Sequence, residues 1–475
     1  MRASSSRERL NSAEDPKIHP RPLATMKHRA LTTFDAKVLS FCYSGSMVSW
    51  NRFCTLWLLK CGFSPQEVGL MKSLSLVGKL IAQPLWAGKA DVGAPSDVLA
   101  CSVLASVATL EALRRGTRAG FLLRHEGIGA RPHQALWAVA ALRIARSASS
   151  AASPVADGMV LTLARDGNEA WGRQRFWGSA SWGLGSLFVG ALIDRVGLEA
   201  GIFGSTYAVG FQLLAVLYFR VRPRWPAPEE DDVETPLPTD VKKKAPRNLG
   251  AVVSHGLVAL RRSQPLRLAL GNACVFGTLV VVVDYILYMQ LENELGVSRT
   301  TNGLATTIAT FSTFPFFWHS NLLIRRYGHW RVLAGAQCIL PFRLLLHSLV
   351  TKDNVSYLLP LAQLLHGPMF ACWLSTAVEL VATLAPPELV ASSQSLLTMA
   401  YFTIGGCVGH LVWSAAFEAW GGRATYLVAA CCSTIAALGF LAALPPHVRK
   451  RPTSPAVVPY PLVDDDVTPS NRQQP

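Results

Sequence analysis

Residues 151–197 read AASPVADGMVLTLARDGNEAWGRQRFWGSASWGLGSLFVGALIDRVG, and the rest of the chain is interpreted outward from this stretch. It holds the end of one apolar run, a short polar turn, and a second apolar run that carries Gly178, Gly183, Gly185 and Gly190. Small residues let helix backbones approach closely in lipid. The stretch therefore predicts two membrane-spanning helices in close contact, joined by a charged loop on the cytosolic side.

The composition is that of a membrane protein. The chain has 475 residues, of which 50% are hydrophobic and 16% charged, whereas a soluble domain carries about 25% charged residues. The net charge of +15 comes mostly from Lys and Arg between apolar runs, which favours basic flanks of membrane spans over a nucleic-acid-binding surface. The 10 cysteines have no metal-type spacing, so we predict no metal site and no cofactor.

The apolar runs predict an all-α membrane protein with about twelve transmembrane helices of roughly 20 residues each. Six spans precede a long polar gap and six follow it. The predicted limits are 34–59, 66–87, 96–113, 136–163, 176–194 and 199–219, then 268–291, 300–324, 331–350, 354–384, 389–416 and 423–444. Prolines are expected to kink several spans, at Pro84, Pro154, Pro315, Pro341, Pro360 and Pro368.

The gap between the two groups of spans is rich in proline and charge, which is typical of a flexible linker. The predicted organisation is a disordered tail (1–33), an N-terminal six-helix bundle (34–219), a linker (220–266), a C-terminal six-helix bundle (267–445) and a second tail (446–475). The N-terminal tail and the linker are rich in Lys and Arg and are separated by an even number of spans, so both tails and the linker are predicted to be cytosolic. The arginine-rich loop 114–134 would then be external, against the rule, and the sequence does not indicate which membrane holds the protein.

The two groups of spans also share a pattern. Gly185, Asp194 and Gly197 end the fifth span with the spacing G-x8-D-x2-G, and residues 409–421 end the eleventh span with G-x8-E-x2-G, in which Glu418 is the acidic member. Matched acidic positions six spans apart suggest the duplication of a six-span unit.

Several motifs resemble the major facilitator superfamily. They are PVADGMVL (154–161), GRQRFWGSASWG (172–183), LLHGPMFACW (364–373) and a degraded loop motif, PLWAGKAD (84–91). The chain is most similar to the branch that includes nucleoside:proton symporters, lactose-permease-like sugar carriers and eukaryotic "domain-containing protein 6-like" members. The resemblance implies two pseudo-symmetric six-helix bundles, the major facilitator fold, and transport by alternating access.

The resemblance also implies that the first, fourth, seventh and tenth spans line a central cavity. A charge inside the bilayer costs about 2.5–3.5 kcal/mol on insertion scales, so such a residue is a functional candidate. Each of these four spans carries ionisable groups. The candidates for substrate binding or proton coupling are Arg52, Arg143, Arg146, Asp284, His366 and Glu379.

The surroundings of the fourth-span candidates and of Asp284 indicate more specific roles. On a continuous fourth helix, Arg143, Arg146 and Asp157 would share one polar stripe with Ser150 and Pro154. Asp284 follows four valines, and it is either a proton-coupling carboxylate or the permanent partner of an arginine such as Arg52 or Arg143.

For the remaining candidates a structural role stands beside the functional one. His366 either borders the substrate site or makes an interhelical hydrogen bond, and Glu379 suits a structural ion pair more than coupling. Arg343 and His347 lie on the ninth span, outside the cavity-lining set, and are expected to serve packing.

A second group is predicted to gate the transport path. Asp91 is the retained acid of the loop motif, and Asp157 should meet Arg173 and Arg175 at the cytosolic ends of the fourth and fifth spans. An ion pair there would hold one state closed and break in the other. The alternative is a static bridge between helix ends.

No phosphate-binding loop or catalytic motif occurs in the sequence, so we predict a transporter that is not an enzyme and does not use ATP. The predicted function is secondary-active transport of a small polar solute, nucleoside or sugar-like, with proton symport. Its partners would be the solute, protons and the lipid bilayer, and the protein is expected to be a monomer. The alternative is a non-transporting membrane receptor or scaffold on a transporter fold.

Overall fold

The computed structural model describes residues 32–92, 94–125, 132–166, 171–222, 263–384 and 390–444. Within these ranges nearly every residue is helical and no strand is present, so the all-α prediction is confirmed for the described chain. Apart from residues 32 and 33, the predicted tails lie outside the described residues, and so does most of the predicted linker.

The N-terminal half, residues 32–222, is built from seven helices within the described ranges. These are α1 (Thr33–Lys60), α2 (Pro65–Val92), α3 (Pro95–His125), α4 (Pro132–Ser149), α5 (Ser153–Asp166), α6 (Trp171–Val196) and α7 (Leu198–Val216), the last continued by a π-helical turn at Leu217–Val221. At its two ends this half is held together by an ion pair between Asp35 of α1 and Arg220.

The C-terminal half, residues 263–444, contains three π-helical turns where helices would otherwise run straight. Its helices are α8 (Gln264–Val281), α9 (Leu287–Asn293), α10 (Arg299–Tyr327), α11 (His329–Ser348), α12 (Val355–Leu364), α13 (Cys372–Leu384), α14 (Val390–Thr398) and α15 (Gly406–Ala443). The π-helical turns at Val282–Ile286, Gly367–Ala371 and Met399–Gly405 connect α8 to α9, α12 to α13 and α14 to α15. Gly421, with φ +74°, interrupts α15.

Six helical segments of the described chain are long and apolar enough to cross a membrane. They are Pro95–Thr117, Phe176–Val196, Leu198–Val221, Gln264–Asn293, Val355–Leu384 and Ser393–Ala443. Large apolar side chains such as Phe219, Trp318 and Ile435 lie exposed on the outside, where lipid tails would cover them. The total of about twelve crossings, from runs of roughly 20 residues, and the two-bundle arrangement stay predictions.

The prediction of one continuous fourth helix is wrong. The chain leaves the helical conformation at Ala151 and Ala152, so Arg143 and Arg146 lie on α4, whereas Asp157 lies on α5. Proline lacks an N–H group and disfavours a helical conformation in the preceding residue. Pro154 therefore ends the first helix and stands at the start of the second, and the predicted polar stripe is divided between two helices.

The packing partner of the glycine-rich helix also differs from expectation. Helix α6 packs mainly against α10 and α1, and less against α5. A Cβ atom at Gly190 would lie 2.2 Å from the carbonyl oxygen of Arg299, and one at Gly303 would lie 2.3 Å from that of Ser186. Small residues on both α6 and α10 thus allow backbone contact, which makes α10 the closer neighbour.

Two helix pairs join the halves. Helix α6 contacts α10, and α2 contacts the first part of α15. We call these contacts the α6–α10 seam and the α2–α15 seam. In the second seam a Cβ atom at Gly69 would lie 2.6 Å from the carbonyl oxygen of His410, so backbones approach closely there as well.

Candidate functional site

The three π-helical turns of the C-terminal half carry or adjoin a set of polar and aromatic residues. Asp284 lies in the first turn, His366 directly precedes the second, and Tyr401 lies in the third. A π-helical turn shifts the helical register and is frequent at functional sites. Asp284 is solvent-accessible although Val283 and Tyr285 on either side are buried, as expected for a side chain that faces an interior space.

Arg343 of α11 organises the polar contacts around this set. Its side chain is 1% exposed, and it donates to Gln363 Oε1 at 2.7 Å, to the Ala362 carbonyl at 3.2 Å and to His366 Nδ1 at 3.1 Å. Arginine nitrogen atoms only donate hydrogen bonds, so His366 Nδ1 accepts and the ring is neutral, with its proton on Nε2. Arg343 also lies within electrostatic range of Asp284.

Arg52 of α1 connects the two halves. It donates to the Tyr288 hydroxyl at 3.1 Å, and its guanidinium lies 5.2 Å from the ring centroids of Trp182 and Tyr288. Arg52 is the second cation within electrostatic range of Asp284. No cation of a described residue approaches the Asp284 carboxylate within 4 Å, so its two arginine neighbours influence it without a direct salt bridge.

The N-terminal half holds a different arrangement, which we call the cation cluster: Lys72 of α2 with Arg143 and Arg146 of α4. Both arginines are 3% exposed. Arg143 donates to Cys54 Sγ at 3.9 Å, and Arg146 donates to Ser106 Oγ at 2.7 Å. The electrostatic neighbours of Lys72 are the Cys54 thiol and three cations, Arg52, Lys79 and Arg143, and they include no carboxylate.

The other predicted candidates lie apart from these groups. The carboxylate of Glu379 lies 3.2 Å from His329 Nε2 at the first turn of α11. Asp157 is exposed and in electrostatic range of Lys79. The side chains of Asp91, Arg173 and Arg175 lie outside the described residues, so the predicted gating pair stays a prediction.

The acidic residues of the sequence repeat occupy equivalent places in the two seams. Asp194, near the end of α6, accepts hydrogen bonds from the backbone N–H groups of Arg299 and Thr300 at 3.1 and 2.8 Å. Glu418, near the end of the first part of α15, accepts one from the N–H of Gln66 at 2.9 Å. The first N–H groups of a helix have no partner within it, so each carboxylate caps the first turn of a helix from the other half.

Three features of the site were missed from the sequence. Arg343 was assigned to packing because its span is off the cavity-lining set, yet it contacts His366 and faces Asp284. Lys72 was not singled out, although a lysine inside an apolar run is an available signal. The matched acids Asp194 and Glu418 were found as a repeat without their capping role.

Two cavities of the described chain lie apart from these residues. One of about 550 Å³ is bordered by α11 and the end of α15. Another, of about 340 Å³, is bordered by Lys60, Glu292 and Arg299. No cluster of His, Cys, Asp and Glu among the described residues could hold a metal ion. The polar side chains described above offer charge pairing and hydrogen bonding.

Comparison with known proteins agrees with this fold. Residues 34–428 match the model of the MFS_1 like family. The maltose permease of Geobacillus stearothermophilus is 27% identical over 386 residues, which cover 80% of this chain and 86% of the permease.

Two solved structures are similar in fold. The nucleoside transporter NupG superposes with a TM-score of 0.66 at 15% identity, covering 86% of this chain and 98% of NupG. A bacterial homologue of the human lysosomal transporter Spinster, in an inward-facing and unoccupied conformation, gives a TM-score of 0.63 at 12% identity, covering 88% and 97%.

Proposed function

The chain belongs to the MFS_1 like family of transporters, and from this premise we propose that it is a proton-coupled secondary transporter that moves a small sugar-like or nucleoside-like solute by alternating access. The relatives are membrane transporters and not enzymes, and they support an integral, multi-pass membrane protein that acts in transport. The named solutes of two relatives, maltose and nucleosides, give the solute class of the proposal.

The observation that carries proton coupling is the accessible carboxylate of Asp284 between two arginines. A carboxylate in a water-accessible interior can bind and release a proton, and the charge it carries changes its interaction with nearby cations. Ionised Asp284 would attract Arg52 and Arg343, whereas protonated Asp284 would release them. Because Asp284 belongs to the C-terminal half and Arg52 to α1 of the N-terminal half, each protonation step would alter the attraction between the two halves.

The seams supply the two-state element of the proposal. The predicted topology puts the capped helix ends of α2 and α10 on the non-cytosolic side, so the seams would close that side when the solute leaves to the cytosol. Opening would remove the Asp194 and Glu418 caps and expose the helix N-termini to water. Rigid-body rocking of two halves around a midplane site is the expected motion of such a carrier.

The test is uptake into proteoliposomes of maltose, glucose and uridine, with and without an inward proton gradient. We expect the gradient to drive accumulation of one solute, and Asp284→Asn to abolish accumulation while solute exchange without a gradient persists. Asp353→Asn, in an exposed turn, is the matched control and should behave as wild type.

Two results would contradict parts of this proposal. Uptake that is equal with and without the gradient would leave a carrier and remove proton coupling. No uptake or exchange of any solute by protein that is shown to be folded would remove transport and support a receptor or scaffold.

A further inference from the structure

We propose that the solute carries an anionic group, a carboxylate or a phosphate, which binds at the cation cluster between Lys72 and Arg143. The inference rests on the proposed transport function and narrows its solute class. It follows from three independent features of the cluster: unused hydrogen-bond donors, an excess of positive charge, and a position that both halves reach.

The first feature is the set of unused donors. Arg143 Nη1, Arg146 Nε and Arg52 Nε are buried and have no hydrogen-bond partner within the described chain. A buried donor without an acceptor loses its hydration and gains nothing in return. Arginine and lysine nitrogen atoms cannot bond to one another because none of them accepts. An acceptor must therefore come from outside the described chain, and a bound solute is the source that we infer.

The second feature is the excess of cations. Of the two carboxylates near the interior charges, Asp157 is in electrostatic range of Lys79, and Asp284 in that of Arg52 and Arg343. The neighbours of Arg146 are Cys54, Tyr43 and Tyr207, which are not carboxylates. Six cationic side chains thus face two carboxylates around the interior of the described chain: Arg52, Lys72, Lys79, Arg143, Arg146 and Arg343.

The third feature is position. Arg143 and Lys72, from the N-terminal half, lie in electrostatic range of His410, from the C-terminal half. The ring of His410 packs edge-on against Tyr285 at 4.4 Å, beside Asp284 in the chain. A solute bound at Lys72 and Arg143 would therefore contact both halves, as the solute of an alternating-access carrier must.

The geometry of the donors favours an oxyanion over a neutral hydroxyl. A guanidinium offers parallel N–H groups that match two oxygens of a carboxylate or phosphate. Lys72 is half-buried, so its ammonium can meet the same group from the water-accessible side. Arg146, three residues from Arg143 on α4, is held by its hydrogen bond to Ser106 of α3 and adds positive charge to the cluster.

The test compares neutral and anionic members of matched pairs on the purified full chain. The probes are glucose against glucuronate, glucose against glucose 6-phosphate, and uridine against uridine monophosphate. Binding is measured by thermal stabilisation, and uptake by proteoliposomes. We expect an anionic member to bind at least about tenfold more tightly than its neutral partner, since a charge-assisted hydrogen bond contributes that much. The two glucose pairs distinguish a carboxylate from a phosphate.

The variants assign the preference to the cluster. Lys72→Gln and Arg143→Gln should each remove it, whereas Lys352→Gln, an exposed lysine in a turn, should retain it. Arg143 is buried, whereas Lys72 is half-buried, so Lys72→Gln keeps the test decisive even if the Arg143 variant is unstable. A Lys72→Gln variant that still binds the anionic member more tightly than its neutral partner would overturn the inference.

The outcomes also separate the inference from the proposed function. Uptake of a neutral member in preference to its anionic partner would overturn the anion site and leave transport intact. Failure of every member to bind and to be taken up would overturn both.

Discussion

Among the described residues, the guanidinium of Arg343 in the C-terminal half donates to a glutamine, a carbonyl, a histidine and a methionine sulfur, whereas that of Arg143 in the N-terminal half donates only to the sulfur of Cys54. Both side chains are almost fully buried, with 1% of Arg343 and 3% of Arg143 exposed. The guanidinium of Arg343 is therefore supplied with acceptors, whereas that of Arg143 has a buried nitrogen without an acceptor among the described residues. Burial alone therefore does not identify a binding residue. The two arginines are both buried and differ in whether their N–H groups have acceptors.

The largest change in stability is expected when Arg343 and Arg143 are each replaced by methionine. Replacing Arg343 with methionine would leave Gln363 and the Ala362 carbonyl without their donor and should destabilise the protein by about 3 kcal/mol. Arg143→Met removes donors that are already unsatisfied, so its cost should stay within about 1 kcal/mol. Thermal unfolding of the purified variants in detergent measures both. Equal destabilisation by the two substitutions would break the comparison.

An intermediate effect is expected where backbones touch across the seams. Gly190→Ala would place a Cβ atom 2.2 Å from the Arg299 carbonyl oxygen, and Gly69→Ala would place one 2.4 Å from Ser414 Oγ. Such overpacking typically costs about 1–3 kcal/mol, which should favour the state with open seams.

The readout for the seams is the alkylation rate of a cysteine placed at Thr307 in a cysteine-free background. We expect both alanine variants to raise the rate. Gly335→Ala is the control, because nothing lies within 4 Å of a Cβ atom there. A rate unchanged in Gly190→Ala but raised in Gly335→Ala would contradict the packing described for α6 and α10.

The smallest effect is expected from the carboxylate caps. Asp194→Asn and Glu418→Gln keep the side-chain shape but remove the charge at a helix N-terminus, which is worth about 0.3–1 kcal/mol. Asp194 should show the larger change because it also accepts from the Thr300 hydroxyl, at 2.7 Å.

The same alkylation assay measures the caps singly and together. Since the two caps lie in different seams, their effects should add to within about 0.5 kcal/mol. A double variant whose effect differs strongly from the sum of the two single effects would mean that the cap in one seam influences the opening of the other seam.

Much of the fold follows from the sequence because a bilayer leaves few alternatives. Apolar runs in lipid must form helices that satisfy their own backbone groups, and the start of α10 at Arg299 and the end of α1 at Lys60 fall within one residue of the predicted limits of 300 and 59. The break before Pro154 could also have been read from the sequence, since proline in a helix interior removes a hydrogen bond.

The site was less predictable because it depends on neighbours far apart in the chain. Asp284 was recognised as a charge among valines, but its two arginine neighbours come from α1 and α11. Nothing in the sequence VVDYI, residues 282–286, predicts the π-helical turn that carries Asp284. Likewise the repeat identified Asp194 and Glu418, yet a cap requires knowing which helix of the other half begins beside each carboxylate.

The surplus positive charge of the cation cluster has a consequence for the electrical behaviour of the protein. A membrane potential acts on a charge that crosses it with about 2.3 kcal/mol per 100 mV, and proportionally on one that moves through part of it. In the proposed transport cycle, Lys72, Arg143 and Arg146 would move with the N-terminal half. Without a bound anion their movement would carry current, and with a bound dianion it would carry much less. The resting potential would therefore favour one orientation of the empty protein and exert much less force on the loaded one, so that voltage sets which side of the membrane an unoccupied site faces.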